Sequence, residues 1–205
     1  MKGRTPYAVG LDIGTTKIVA VVGKLNEHNK IEVLGIGKSA SLGVNSGVVA
    51  NIVQTVKSIE AAIKQAEENS GLVIEKVMVG IAGQHIRSMQ HSDYIVRSEA
   101  DDIIGEEDLK ALNQNVSNLV MQPGEQILHA LPQEYRVDGV SKIIDPKGMF
   151  GSRLEASFHI VIGQVASIKN IVRCVRESNL SIGNITLEPL ASSEAVLDQE
   201  EKEAG

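Results

Sequence analysis

The chain contains no tryptophan, two phenylalanines and three tyrosines in 205 residues. A core without large rings has to be built from Val, Ile, Leu and Ala, and the 42% hydrophobic content supplies them. The same scarcity removes the stacking platforms on which single-stranded nucleic acid is held. Basic charge is not in excess either. Twenty Lys and Arg stand against 26 Asp and Glu, a formal net charge of −6, which argues against a nucleic-acid footprint or a basic membrane-binding face. A single cysteine, Cys174, excludes a disulfide framework; between Val172 and Val175 in a helical pattern it reads as a buried, inert thiol suited to a reducing cytoplasm. No apolar run approaches the roughly 18 residues that crossing a bilayer requires. The N-terminus enters a strand without a basic region followed by a long apolar segment, so no signal peptide is expected. A chain of this length can form one large or two small domains, burying roughly 70% of its unfolded surface.

Several catalytic patterns are missing as well. His28, His85, His91, His129 and His159 are scattered without the spacing of a metal site, which favours surface or packing roles. Ser152 and Ser193 have no base in recognisable register, so hydrolase chemistry has no support. Neither a G-x-x-x-x-G-K-[ST] loop nor a G-x-G-x-x-G loop occurs.

What is present is the segment Gly10-Leu11-Asp12-Ile13-Gly14-Thr15-Thr16-Lys17, followed by a second apolar strand, Ile18 to Val22. Val9, Leu11 and Ile13 point one strand inward, and Gly14 lets the backbone turn close to a ligand. Thr15, Thr16 and Lys17 offer N–H, hydroxyl and ammonium donors to a phosphate, while Asp12 places a carboxylate where hydrated Mg²⁺ would sit. On the hairpin alone a second reading stands beside this one: an ordinary polar β-turn in which Asp12 bonds nearby backbone N–H groups.

Along the chain the pattern is β-β-β-α-β, an inserted block, then α-β-α. Strands are expected at Ala8–Gly14, Lys17–Gly23 and Ile31–Ser39, with a polar turn at Asn26-Glu27-His28-Asn29. Ile52, Val56, Ile59, Ile63 and Ala66 repeat at helical spacing, and Asn69-Ser70-Gly71 stops the helix. A strand follows at Lys76–Ile81, and Gly80-Ile81-Ala82-Gly83 marks the exit from this first unit. In the inserted block, Gln84 to Ser98 reads as a strand or hairpin. Glu106-Glu107-Asp108 opens a helix with Leu109, Leu112, Val116 and Leu119 on one face, and strands follow at Gln126–Val137 and Leu154–Gly163. The chain resumes with a helix placing Ile168, Ile171, Val172 and Val175 inward, a strand Ile182–Leu187 and a helix near Pro189, so that βαβ logic rejoins the first unit.

The last corner, Leu187-Glu188-Pro189-Leu190-Ala191-Ser192-Ser193, carries a second signal. Pro189 suits the first turn of a helix, so Glu188 is held at a strand end beside the helix's positive pole. Glu188 reads either as a poised carboxylate or as a cap satisfying backbone N–H groups.

The D-x-G-T-T-K pattern resembles the first phosphate loop of the actin, Hsp70 and sugar-kinase superfamily, which implies ATP with Mg²⁺ as ligand. E-P-x-A resembles the superfamily's connecting motif, whose Glu orients the water attacking the γ-phosphate, so Glu188 is the implied catalytic residue. Within the superfamily the chain resembles the FtsA family of bacterial actin homologues over essentially its whole length. The segments carrying this are 47–52 (GVVANI), 79–86 (VGIAGQHI), 127–135 (ILHALPQEY) and 148–155 (GMFGSRLE), the last two being the specific ones.

The resemblance implies an α/β fold: a discontinuous actin-like, ribonuclease H-like subdomain 1A over residues 1–83 and 164–205, with a mixed sheet and helices. A small α+β subdomain, 1C, would occupy residues 84–163. It implies an ATP-binding division-ring component that self-associates as an actin-like filament and anchors the tubulin-like FtsZ to the membrane at midcell, with Asp12, Gly14, Thr15, Thr16 and Lys17 binding the cofactor and Asp12 the metal. ATPase activity would be weak at most. The alternatives are a PilM-like scaffold of type IV pilus assembly and a small-molecule kinase of the superfamily. The sequence stops at Gly205, where the family's chain enters its second half. The second phosphate loop, the FtsZ-binding subdomain and the terminal amphipathic helix would fall beyond it. A nucleotide held from one side stays largely solvated, so weak ATP binding is expected of this stretch alone.

Overall fold

A computed structural model describes residues 7–28, 30–97 and 102–204. The expectations that fall on the first six residues, Asn29, Ser98 and Gly205 lie outside the described residues. In chain order the elements are β1 (Ala8–Ile13), β2 (Lys17–Leu25), β3 (Ile31–Ala40), β4 (Val44–Asn45), β5 (Val48–Val49), α1 (Ile52–Ser70), β6 (Lys76–Ile81) and β7 (Ile86–Val96). Then come α2 (Glu106–Ser117), β8 (Glu125–Val137), β9 (Val140–Ile143), β10 (Arg153–Gln164), α3 (Val165–Glu177), β11 (Ser181–Leu187), α4 (Glu188–Val196) and α5 (Gln199–Ala204). They fall into two compact units, Met1–His85 with Ala166–Gly205, and Ile86–Val165.

The first unit is built on a five-stranded sheet in the order β11-β6-β1-β2-β3. β1 runs parallel to β6, and β6 to β11, while β2 is antiparallel to both β1 and β3. Strict alternation decides which face is covered: Val9, Leu11, Ile13, Ile18, Ala20, Val22, Val77, Val79 and Ile81 are buried. Their alternates Gly10 and Met78 are exposed, and Asp12 lies half-buried among them. Helix α1 packs on β2 and β3, and it does so at backbone contact, because a Cβ on Gly37 would strike the Ala62 carbonyl and one on Gly35 would come 2.7 Å from Ser70 N. Close approach explains Ala62 and Ala66 in the buried stripe of α1, and the chain after β3 packs on Thr55 and Ser58, so that beside Ile59 and Ile63 the set is smaller and more polar than apolar spacing suggests. Asn51 caps α1 by accepting from Gln54 N, and Gly71 ends it in the left-handed region at φ 69°.

In α3 the buried residues are Ser167, Ile168, Ile171, Cys174 and Val175. Val172, expected inward, is only half-buried, while Cys174 is buried as expected. Burial pushes the Cys174 thiol up to about 11, which keeps it protonated and unreactive at neutral pH.

The second unit is an antiparallel sheet in the order β7-β10-β8-β9. Its core holds Ile104, Leu112, Val116, Val137, Leu154, Ala156, Phe158, Ile160 and Ile162, so Leu112 and Val116 of α2 are inside while Leu109 and Leu119 pack at the margin. The segment from Gln84 resolves into one strand, β7, rather than a hairpin. β9 was not expected from the sequence, and it pairs with β8 only through Tyr135 and Val137. That short pairing explains how Pro132 sits inside a strand: the ladder shifts register between Ser157 and Phe158 at this point, and no β9 residue is paired with Pro132. Away from the core the sheet carries a bidentate Arg87–Glu125 pair, both bonds 2.7 Å, and the Arg153 guanidinium 3.8 Å over the Tyr94 ring.

Candidate functional site

The carboxyl ends of the parallel strands β1, β6 and β11 converge on one side of the first unit, the usual place for a ligand in an α/β sheet. Two backbone turns leave these ends, after β1 and after β6, and a third, between β4 and β5, packs beside them. Gly14 N–H donates to Lys17 O at 3.1 Å and closes the β1–β2 hairpin. A Cβ on Gly14 would come 3.0 Å from that same carbonyl, so a side chain there would push on the turn. The Ser46–Gly47 turn joins β4 to β5 with both residues left-handed, at φ 48° and 76°. The Ala82–Gly83 turn follows β6, with Gly83 at φ 133°.

The last two turns interlock without room for side chains. A Cβ on Gly47 would collide with the Ala82 carbonyl oxygen, and one on Gly83 would sit 2.7 Å from Ser46 O. The hairpin is tied in by Thr15, whose Oγ1 accepts the Gly47 N–H at 3.1 Å. Together with Gln84 and Glu188 these turns line a cavity of about 350 Å³.

Glu188 opens α4 after the β11 strand, with Pro189 next and Leu187 as the N-cap. Its side chain folds over Gly80, where a Cβ would come 3.1 Å from Glu188 Cγ. Gly80 pairs with Asp12 on one side and Thr186 on the other, so the absent side chain is the space through which Glu188 approaches Asp12. Asp12 Oδ1 is buried with no hydrogen-bond partner. Burial, and then the neighbouring Asp12 carboxylate, push the Glu188 carboxyl up to about 7.

This carries a pH dependence. A carboxyl raised in the folded state binds its proton more tightly there than in the unfolded chain, so stability falls as pH rises from about 4.5 to about 7 and is flat above. Glu188 is half-exposed, so solvent screening limits the effect to about 1–2 kcal/mol. Thermal unfolding of Glu188→Gln at pH 5 and pH 8 is expected to lose this decline; the same decline in the variant would show that another group causes it.

The structure therefore brings Asp12, Gly14, Thr15 and Glu188 together. Thr16 and Lys17 are exposed and do not line the cavity, and the Thr16 carbonyl is occupied by Ser41 N–H at 3.2 Å. Sequence reasoning did not place Ser46, Gly47, Gly83 or Gln84 in the site. The signal for Gly47, Gly83 and Gln84 was the pair of glycine-containing segments 47–52 and 79–86, read there as marks of resemblance and, at residues 80–83, as the exit from the first unit. His85 is 3% exposed, and burial lowers its pKa, which keeps the ring neutral. Among the described residues no three His, Cys, Asp or Glu side chains gather as a metal cluster. No helix of the described residues is long and apolar enough to cross a membrane.

The mixed five-stranded sheet with its β1–β2 hairpin, interrupted by a separate antiparallel unit, defines an actin-like fold. A solved PilM-PilN type IV pilus biogenesis complex shares that fold, with a TM-score of 0.62 at 11% identity over 94% of this chain and 50% of that one. Residues 83–162 match the SHS2 domain inserted in FTSA. The cell division protein FtsA of Pseudomonas aeruginosa is 41% identical over 96% of this chain and 47% of its own length. That of Borreliella burgdorferi is 38% identical over 96% and 48%, and that of Escherichia coli 31% over 96% and 46%. The chain belongs to the FtsA family and corresponds to its N-terminal part. It spans about half the length of these relatives.

Proposed function

We propose that the cavity beside the β1–β2 hairpin holds the phosphates of ATP with Mg²⁺, and that the complete protein uses this site as an actin-like component of the division ring. The observation that carries the reading is the buried, unpartnered Asp12 Oδ1, one residue before a cavity lined by Gly14, Thr15 and Glu188 and closed by the interlocked Ser46–Gly47 and Ala82–Gly83 turns. A proton held between Asp12 and Glu188, or a cation, would satisfy such a pair of carboxyls, and this reading takes the cation.

In this reading Asp12 holds Mg²⁺, directly or through its water, and the cation in turn neutralises phosphate charge. Thr15 contributes its hydroxyl and Gly14 the open backbone, while Thr16 and Lys17, implied by the sequence motif, stand outside the cavity lining. Glu188 orients the attacking water in the slow hydrolysis that the complete protein would perform; its raised pKa equips it to accept that water's proton near neutrality. The first unit corresponds to subdomain 1A and the second to 1C, through which the protein would self-associate and meet later division proteins. FtsZ anchoring at the inner face of the membrane at midcell belongs, in this reading, to the half of the family's chain not represented here.

Calorimetric titration with MgATP tests the site. Asp12→Ala is expected to remove the Mg²⁺-dependent part of the affinity, a loss of about tenfold or more, as befits a charge-assisted contact. Equal affinity in the variant would overturn the cation assignment.

A further inference from the structure

The hydrogen bond between the Thr15 hydroxyl and the Gly47 N–H does more than close the cavity. We propose that Thr15 relays the presence of a phosphate group to the turn ahead of α1, its Oγ1 accepting from Gly47 while its O–H donates to a phosphate oxygen. The inference rests on the nucleotide reading above and assigns Thr15 a coupling role within that site.

The argument begins with the inventory of a hydroxyl, which has one proton to give and two lone pairs to receive. One lone pair of Thr15 is committed to Gly47 N, 32 residues away in sequence and 3.1 Å away in space. Thr15 is itself exposed and lines the cavity, so its hydroxyl can turn its proton toward the space where an anion would lie. Donating that proton to a charged oxygen makes Oγ1 a better acceptor, because hydrogen bonds in series polarise one another. The Gly47 N–H bond therefore tightens when phosphate arrives.

The turn can transmit this because it has little freedom to absorb it. Gly47 abuts Ala82, and the Ser46 carbonyl abuts Gly83. From Gly47 the chain runs through β5 to Ala50 and Asn51, whose N–H groups both bond Gly43 O, at 2.7 and 3.0 Å. The side chain of Asn51 then caps α1 through Gln54 N at 3.0 Å. Phosphate occupancy at the hairpin is thus linked, through one hydroxyl, to the small β4–β5 hairpin and the start of α1.

Amide exchange and chemical shifts of the full chain, followed by NMR with and without millimolar MgATP, test the relay. In the wild type, signals of Gly14 to Lys17 are expected to shift and Gly47 exchange to slow by roughly fivefold or more, the range of one net hydrogen bond. Thr15→Ser keeps the hydroxyl and is expected to respond like the wild type. Thr15→Val removes the hydroxyl from phosphate and Gly47 alike, so it is compared at a MgATP concentration raised until its Gly14 shift equals that of the wild type, and there the Gly47 response is expected to disappear. If Gly14 shifts but Gly47 does not, or if Thr15→Val leaves the Gly47 response intact, the relay is overturned and nucleotide binding stands. If nothing shifts at Gly14 to Lys17 in the wild type, the nucleotide reading fails, and the relay with it.

Discussion

Replacing Gly47 with alanine is expected to lower MgATP affinity by about tenfold or more and to destabilise the first unit by about 2–3 kcal/mol. Two costs add. Gly47 sits at φ 76°, where an L side chain costs roughly 1 kcal/mol even in open space. Here the space is closed, since the new methyl would meet the Ala82 carbonyl, a backbone atom held by the end of β6 and by Gly83. Either the 46–47 turn withdraws, taking its N–H from Thr15, or the 82–83 turn does, and in both cases the phosphate cradle opens. Gly139 is the control: it has φ 87° with nothing within 4 Å of its Cβ position, so Gly139→Ala should show the conformational cost alone, about 1 kcal/mol. Thermal unfolding of both variants with titration of MgATP decides the matter. Wild-type affinity in Gly47→Ala would show that the turns are not clamped together.

Arg97→Ala is expected to cost the second unit about 3 kcal/mol. The Arg97 side chain is 7% exposed, and its guanidinium donates from Nε to Asp108 Oδ1 at 3.0 Å. It also donates to the carbonyls of Asp102, Gly151 and Ile103 at 2.8–2.9 Å. One side chain thereby fastens the end of β7, the chain entering α2 and the loop before β10. Removing it strands three carbonyls and leaves Asp108, which also receives Gly105 N–H at 2.9 Å, short of its cation. Lysine should rescue little, because a single ammonium cannot reproduce the planar fork that reaches four acceptors. Hydrogen exchange along β10 reads the effect on this unit alone. Unchanged protection there would show that the loop is held by other contacts, such as the Asp138 carboxylate on Ser152 and Arg153 N–H.

Much of the first unit was legible because each element announces itself locally. Alternation in Val9, Leu11 and Ile13, the glycine turn and the next alternating run fix a hairpin at a period of two. Asn69-Ser70-Gly71 stops α1 near the residue where the structure ends it. The strand Lys76–Ile81 is found at the expected bounds. Less legible were features that depend on a neighbour. The polar Thr55 and Ser58 are buried in α1 because the chain after β3 packs on them, Gly43 lying against Thr55 and Leu42 N–H donating to Ser58 Oγ at 3.1 Å, and no periodicity within the helix reveals that. Val172 turns to the margin and Ser167 is buried for a similar reason, since the facing surface sets the helix phase, while the burial of Cys174 was expected.

The sequence by itself determined the chemistry available: a carboxylate, two hydroxyls and an ammonium on one glycine turn, and a second carboxylate fixed at a helix start by Pro189. These are short-range properties, set by residue type and by backbone preferences over a few positions. Only the tertiary structure decided which of them meet. Asp12 and Glu188 lie at opposite ends of the chain, and the pairing of β1 with β6 and of β6 with β11 carries one carboxyl over Gly80 to the other. Tertiary packing also chose the Ser46–Gly47 and Ala82–Gly83 turns as walls of the cradle, because there two backbones approach too closely for any side chain. Contacts between residues far apart in sequence depend on how whole strands pair, and that depends on the burial of the sheet's full apolar face rather than on any one segment.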